Sequence, residues 1–373
     1  MSSTGTVVPQ AQGMDRHSLA LPIPRDVAEA YDGVRAHVVA RVDAALFRRP
    51  DLGVLLGDAP ASVVRELNRH IAAFLACILT LGLPELVTRG LPRMLSAYLA
   101  RGLSGDYLDV LPELWKRAIE DQMGVRSAPI VRVLEWMAEH PAAWVPIDAL
   151  PKAAAQEGGD RRLSEALLLG DGPGARSILR RAMDEGVTLP DVFVDLLQPA
   201  LYEIGRQWED GRITPAQEHI ASALVARLLA GLEYASSDTH GRIAVVATAP
   251  TEAHEFGAWM AAEVLRAAGW TVHFLGSHTP VEECLHYLRG VPCDLLAVSV
   301  TLEIHLPSLQ RLVAALRSDP ELSGLPILVG GQAFSGSERL WRAAGADGMA
   351  LDARGLVAEA DRLAPAPHRL ATS

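Results

Sequence analysis

Gly241-Arg242-Ile243-Ala244-Val245-Val246-Ala247-Thr248-Ala249-Pro250-Thr251-Glu252-Ala253-His254-Glu255-Phe256-Gly257 is where the chain changes its period. Upstream, apolar residues recur at helical spacing. Here Ile243–Ala247 is a short unbroken apolar run, the pattern of a strand buried on both faces. Three more such runs follow, Val272–Leu275, Leu295–Ser299 and Ile327–Val329, with Gly348–Leu351 as a weaker fifth. Helical stretches of about 10–15 residues lie between them. Apolar strands alternating with helices predict a doubly wound, five-stranded parallel sheet over residues 240–365, covered on both faces. Such sheets bind ligands beyond the carboxyl ends of their strands, where the strand order switches.

The loop after the first run therefore carries the chemistry. A nucleotide site would place GxGxxG there, so that the backbone can approach phosphate. The chain instead has Thr251-Glu252-Ala253-His254-Glu255-Phe256-Gly257, an imidazole flanked by carboxylates. His254-Glu255 has no second His four residues on, which removes the zinc-protease pattern. After Gly257, 41 residues intervene before Ser299-Val300-Thr301, and another 28 separate Thr301 from Gly330-Gly331. Small residues thus recur at the ends of the first, third and fourth strands, leaving a slot at the edge of the sheet. On its own, an exposed His beside Glu at a strand end is as often plain as functional; the small residues beside it tip the reading towards function.

Together, Glu252-x-His254-x-x-Gly257, Ser299-x-Thr301 and Gly330-Gly331 resemble the DxHxxG…SxL…GG motif of base-off/His-on cobalamin-binding domains, which have a Rossmann-like fold. The resemblance implies that His254 binds the cobalt of cobalamin from below and that the displaced nucleotide tail enters the slot beside Ser299 and the glycine pair. Imidazole suits cobalt, and a carboxylate on its other nitrogen sets the tautomer and raises basicity. Glu252 stands where the family has Asp, and Thr301 where it has Leu.

Residues 161–238 read as a four-helix bundle, broken at Gly170-Asp171-Gly172-Pro173-Gly174, at Gly186 and at Gly211. Taken singly, Trp208 fits a bundle core and Glu218-His219 a solvated pair. Next to a His-bearing cobalamin domain, Trp208 with nine residues before Glu218-His219 is similar to the W-x9-EH pattern of cobalamin-dependent photoreceptors. That resemblance implies a helical cap whose Trp packs on the adenosyl group and whose Glu-His pair lines the upper pocket. His305 follows the Ser299 site and could line the corrin rim, with a helix-start residue the plainer account; Trp259 and Trp270 read as packing residues, and Cys284 and Cys293 as small hydrophobes.

The front of the chain has a different character. Residues 1–20 are rich in small polar residues and are expected to be disordered, 21–123 are helical throughout, and 124–160 hold one helix (about Ile130 to Glu139) and a connection. The light-dependent repressors of the photoreceptor family begin with a helix-turn-helix of the MerR type; no basic recognition helix is present here. With 34 basic against 45 acidic residues and no cationic run, nucleic acid is not an expected partner. No apolar run approaches the ~20 residues that span a bilayer, and three cysteines fit neither a disulfide framework nor a metal site, so a cytoplasmic protein is expected. The stretch Ala97–Tyr107, followed by Trp115, is similar to globin-like helical sensor domains. A helical sensor ahead of a photoreceptor-type cobalamin module resembles the photocobilins, which combine cobalamin with biliverdin.

A second tetrapyrrole at the front would need cations for its propionates and an aromatic slot. Arg89, Arg93 and Arg101 could meet the first need, and Phe74, Tyr98, Tyr107 and Trp115 the second; surface charge and core packing are the plain alternatives. Cys77 could attach a bilin or be a buried structural thiol, and heme on His37 or His70 is a competing chromophore. The whole reads as a light sensor, not an enzyme, that binds adenosylcobalamin and changes its homo-oligomeric assembly or an output partner. A corrinoid methyl-carrier serving methyltransferases is the rival.

Overall fold

A computed structural model describes residues 23–83, 85–144, 161–335 and 338–364. The expected disordered tail and most of the connection before the cap lie outside the described residues.

The front domain is all helical: α1 (Arg25–Leu46), α2 (Leu52–Leu56), α3 (Ala61–Leu81), α4 (Glu85–Ala100), α5 (Asp106–Met123) and α6 (Ala128–Glu139). Gly82, with φ 63°, ends α3 in the left-handed conformation that glycine adopts without strain. Ile130, Val133, Leu134 and Met137 of α6 are buried in the same core as Leu111 and Trp115 of α5. The helix expected near 130–139 therefore belongs to the front domain's packing.

The cap comprises α7 (Arg161–Leu168), α8 (Gly172–Asp184), a long third helix and α11 (Pro215–Ala230). The third helix runs from α9 (Leu189–Val192) through a π turn (Phe193–Leu197) into α10 (Gln198–Glu209). Pro199 has no N–H to give to the preceding turn, and the wider π turn absorbs the gap. Thr214 and Gln217 close a capping box at the start of α11, with Pro215 in the first helical position. These stops fall at the glycine and proline breaks noted in the sequence.

The last unit has β1 (Ile243–Thr248), α12 (Phe256–Ala267), β2 (Thr271–Gly276), α13 (Val281–Arg289), β3 (Leu295–Ser299), α14 (Leu306–Ser318), β4 (Ile327–Gly330), α15 (Glu338–Ala343), β5 (Gly348–Ala350) and α16 (Ala353–Leu363). The five strands are parallel in the order β2-β1-β3-β4-β5, so the switch lies between β1 and β3. The expected fold class is the observed one: helical front region, helical cap and doubly wound sheet.

The period-2 alternation of the strands divides the molecule. Ala244, Val246, Leu295, Ala297 and Leu328 face the core shared with the cap, α12 and α16. Val245, Leu296, Val298, Ile327 and Val329 face α13, α14 and the core shared with the front domain. The sheet is thus the partition between two cores, and cap and front domain lie on its opposite faces. Among the described residues, no helix is long and apolar enough to cross a membrane.

Candidate cobalamin site

Thr248, the last residue of β1, pairs in register with Ser299 of β3, which pairs with Gly330 of β4. The three loops expected to share a site therefore leave the sheet side by side. Thr248 Oγ1 donates to the Glu252 carbonyl at 3.0 Å, folding the β1 loop back over its own strand. Glu252 is fully buried by this fold.

A buried carboxylate is stable only if its oxygens are satisfied. Glu252 Oε1 lies 2.5 Å from His254 Nδ1 and accepts the His254 backbone N–H at 3.0 Å. Its Oε2 accepts the backbone N–H groups of Thr301 and Leu302 at 3.0 and 3.1 Å. His305 Nε2 stands 3.6 Å from Oε1, while its Nδ1 lies 2.8 Å from Thr251 Oγ1. Burial pushes the Glu252 carboxyl up, but the hydrogen bond with His254 and the charges of His305 and His254 outweigh it and hold it at about 2. The same hydrogen bond raises the His254 imidazole above its usual range, against the opposing pull of its burial. With Nδ1 committed to Glu252, Nε2 is the nitrogen left for a ligand, and the side chain is 56% exposed.

Beside it, three glycines let neighbouring segments approach more closely than side chains would allow. A Cβ on Gly257 would meet Ser299 Oγ at 3.0 Å, and one on Gly330 would meet the Ala350 carbonyl at 3.1 Å. Gly331 has φ 105°, and any side chain there would strike the Val300 backbone. Ser299 itself is buried. Thr301 contributes its backbone N–H to Glu252, a role indifferent to its side chain. The donor set and the glycine cradle fit a corrinoid held by imidazole below, with its tail in the slot.

The upper candidates come from the cap. Trp208 is half-buried in the last turn of α10, with the Arg101 guanidinium 5.9 Å from its ring centroid. Glu218 accepts from Ser222 Oγ at 2.5 Å and lies near enough to His254 for its charge to act on the imidazole. His219 is 77% exposed, its Nε2 3.6 Å from Glu218 Oε2.

Two residues named in the sequence make contacts that it did not give. His305 does start a helix, but it also completes the Glu252 network from 53 positions away, a distance no local pattern spans. Arg93, read as a propionate partner, instead pairs with Glu209 of the cap at 3.1 Å.

The remaining front-domain candidates are engaged in packing. Tyr107 and Trp115 are fully buried, and Phe74 lies against Gly90. The Cys77 thiol is buried and donates to the Glu303 carbonyl at 3.0 Å, as expected of a structural cysteine. Tyr98 OH lies 2.5 Å from His70 Nδ1 and donates to Glu66, which also holds Arg101. His37 is exposed, which removes it as a buried axial ligand for heme. The Arg89 side chain lies outside the described residues. Trp270 is core, and Trp259 donates to Glu263 at 3.2 Å while packing on Phe274, as expected for both.

Comparison with known proteins assigns the class. Residues 242–360 match the family described as B12 binding domain, and residues 160–233 match a second family of the same description. Cap and sheet unit are thus cobalamin-binding domains. Among individual proteins, the chain is similar to the HTH-type transcriptional repressor CarH of Myxococcus xanthus, at 33% identity over 141 residues. That alignment covers 38% of this chain and 47% of the repressor, so the chain spans about half of that relative's length. It is also similar to the corrinoid protein DSY3155 of Desulfitobacterium hafniense strain Y51, at 24% identity over 209 residues, covering 54% of this chain and 95% of that one. Among solved structures, the monomethylamine corrinoid protein of Methanosarcina barkeri aligns over 55% of this chain and 97% of its own, with 20% identity and a TM-score of 0.46.

Proposed function

We propose that the chain is a light sensor, not an enzyme, and that it takes adenosylcobalamin between cap and sheet unit with His254 as the lower cobalt ligand. The observation that carries this reading is the pairing of the Glu252-held imidazole of His254 with a cap bearing Trp208 and Glu218-His219 in the photoreceptor spacing. Adenosylcobalamin supplies a cobalt–carbon bond that visible light breaks. Glu252 keeps the His254 tautomer and aim constant, so that Nε2 faces the ligand in every state. Trp208 offers an indole face on which a purine stacks, which selects the adenosyl over the methyl form. Through α10, a change at Trp208 reaches the front domain, and the output is a change in assembly or in the binding of another protein. The three free cysteines fit a reducing cytoplasm.

The similarity to a corrinoid protein over nearly its whole length favours a second reading, a methyl-carrier serving methyltransferases. Full-length chain loaded in the dark with adenosylcobalamin, and separately with methylcobalamin, separates the two. The sensor reading expects the adenosyl form to bind more tightly, its spectrum to bleach under green light, and the assembly state to change with it. Preference for the methyl form, with assembly indifferent to light, would favour the carrier.

The front domain is proposed to hold a second chromophore, biliverdin. Adding biliverdin, and separately heme, to the full chain should give a red-shifted protein-bound band with the first. No band with either would leave the front domain as an assembly element.

A further inference from the structure

The space proposed for cobalamin between cap and sheet unit is flanked by a third element, the front domain. Helix α4 runs against the end of α10: a Cβ on Gly211 would meet the Ala100 carbonyl at 3.1 Å, and Arg101 stands over the Trp208 ring. Further along α4, Arg93 Nη2 lies 3.1 Å from Glu209 Oε1 in the cap. The same Nη2 lies 3.4 Å from Gln332 Oε1 in the sheet unit. Glu209 directly follows Trp208, and Gln332 directly follows Gly331. One guanidinium therefore bridges cap and sheet unit, next to the residues assigned to the upper and lower pockets. Arg93 is only partly covered, with 43% of its side chain exposed.

We propose that Arg93 is a cobalamin-binding residue supplied by the front domain, its guanidinium exchanging Glu209 and Gln332 for the amide carbonyls that rim the corrin ring. The chemistry matches. A corrin carries neutral acetamide and propionamide groups around its edge, whose carbonyls accept hydrogen bonds. Arginine offers five N–H donors and no acceptor in a planar fork, so it can hold more than one such carbonyl at once. Because the rim is the same whatever the upper ligand, Arg93 acts on every cobalamin, whereas Trp208 discriminates between them. The inference rests on the cleft being the corrin site with His254 below.

The test titrates full-length apo protein in the dark with cyanocobalamin and with adenosylcobalamin, following the His-on spectrum. Arg93→Ala should weaken both by roughly tenfold, the loss of a charged hydrogen bond, and Arg93→Lys should recover part. Glu209→Gln, which removes the interdomain ion pair but leaves the guanidinium, should bind both at least as well as wild type. Unchanged affinity in Arg93→Ala would overturn the proposal. So would a loss confined to the adenosyl form, since Arg93 would then act through α10 and Trp208. If Arg93→Ala does not fold, Glu209→Gln decides: weaker binding there means that the ion pair is only a latch. A wild-type chain that took up neither cobalamin would remove both this inference and the site itself. Every arm is read in the dark, so failure of the light reading leaves the result intact.

Discussion

The two sides of the cleft are built on different principles. Below, Glu252 is fully buried and each of its oxygens is engaged, so His254 is held in one tautomer and one orientation by protein alone. Above, Trp208 is half-buried against Arg101, Glu218 has one short hydrogen bond, and His219 stands largely in solvent. The lower side is preorganised, as a metal ligand must be for tight binding. The upper side is held by fewer contacts. A device that keeps its cofactor while changing its upper ligand needs that asymmetry: a fixed floor and an adaptable ceiling.

The contrast is most directly broken from below. His254→Ala should abolish the His-on spectrum, because it removes the imidazole proposed as the lower ligand; retention of the wild-type spectrum would end the assignment. Glu252→Gln keeps the shape but turns an acceptor into a donor facing N–H groups. It should cut cobalamin affinity about 10- to 100-fold and lower stability by about 1–3 kcal/mol, read by titration and chemical denaturation. If it behaves as wild type, the floor is not preorganised by that carboxylate. Gly331→Ala forces a side chain into a left-handed backbone against Val300 and should cost about 2–3 kcal/mol even without ligand.

Changes to the ceiling should be smaller and dependent on the ligand. Trp208→Ala should reduce the preference for adenosyl over methylcobalamin by about fivefold, the equivalent of about 1 kcal/mol of stacking. Equal ratios in mutant and wild type would favour the methyl-carrier. The smallest effect is reserved for His219→Ala. Glu209, after Trp208, cannot supply an imidazole, so on the sensor reading His219 would be the cap imidazole available to the cobalt in the illuminated state. The substitution should alter the illuminated spectrum and leave the dark one unchanged. If neither moves, water takes that position.

Local pattern carried a large part of this protein. Strand burial on both faces, helix stops at glycine and proline, and the spacing of Glu252, His254, Gly257, Ser299, Gly330 and Gly331 are properties of neighbouring residues or of repeated units. They are readable before any folding, because burial and backbone freedom act residue by residue. Strand order was implied by class, and with it the adjacency of the three loops.

What tertiary structure alone decided involves residues far apart in the chain. His305 meets Glu252 because β1 and β3 are sheet neighbours, and nothing about a histidine at a helix start announces it. Cys77 of α3 touches the Glu303 carbonyl, and Arg93 of α4 reaches Glu209 and Gln332, because the front domain packs on the sheet unit and against α10. On sequence grounds the front domain was a separate sensor with arginines to spare. The packing turns one of those arginines into part of the cleft, since the side of a sheet on which a helical domain settles is set by the shapes and apolar areas of both surfaces together, which no single segment encodes.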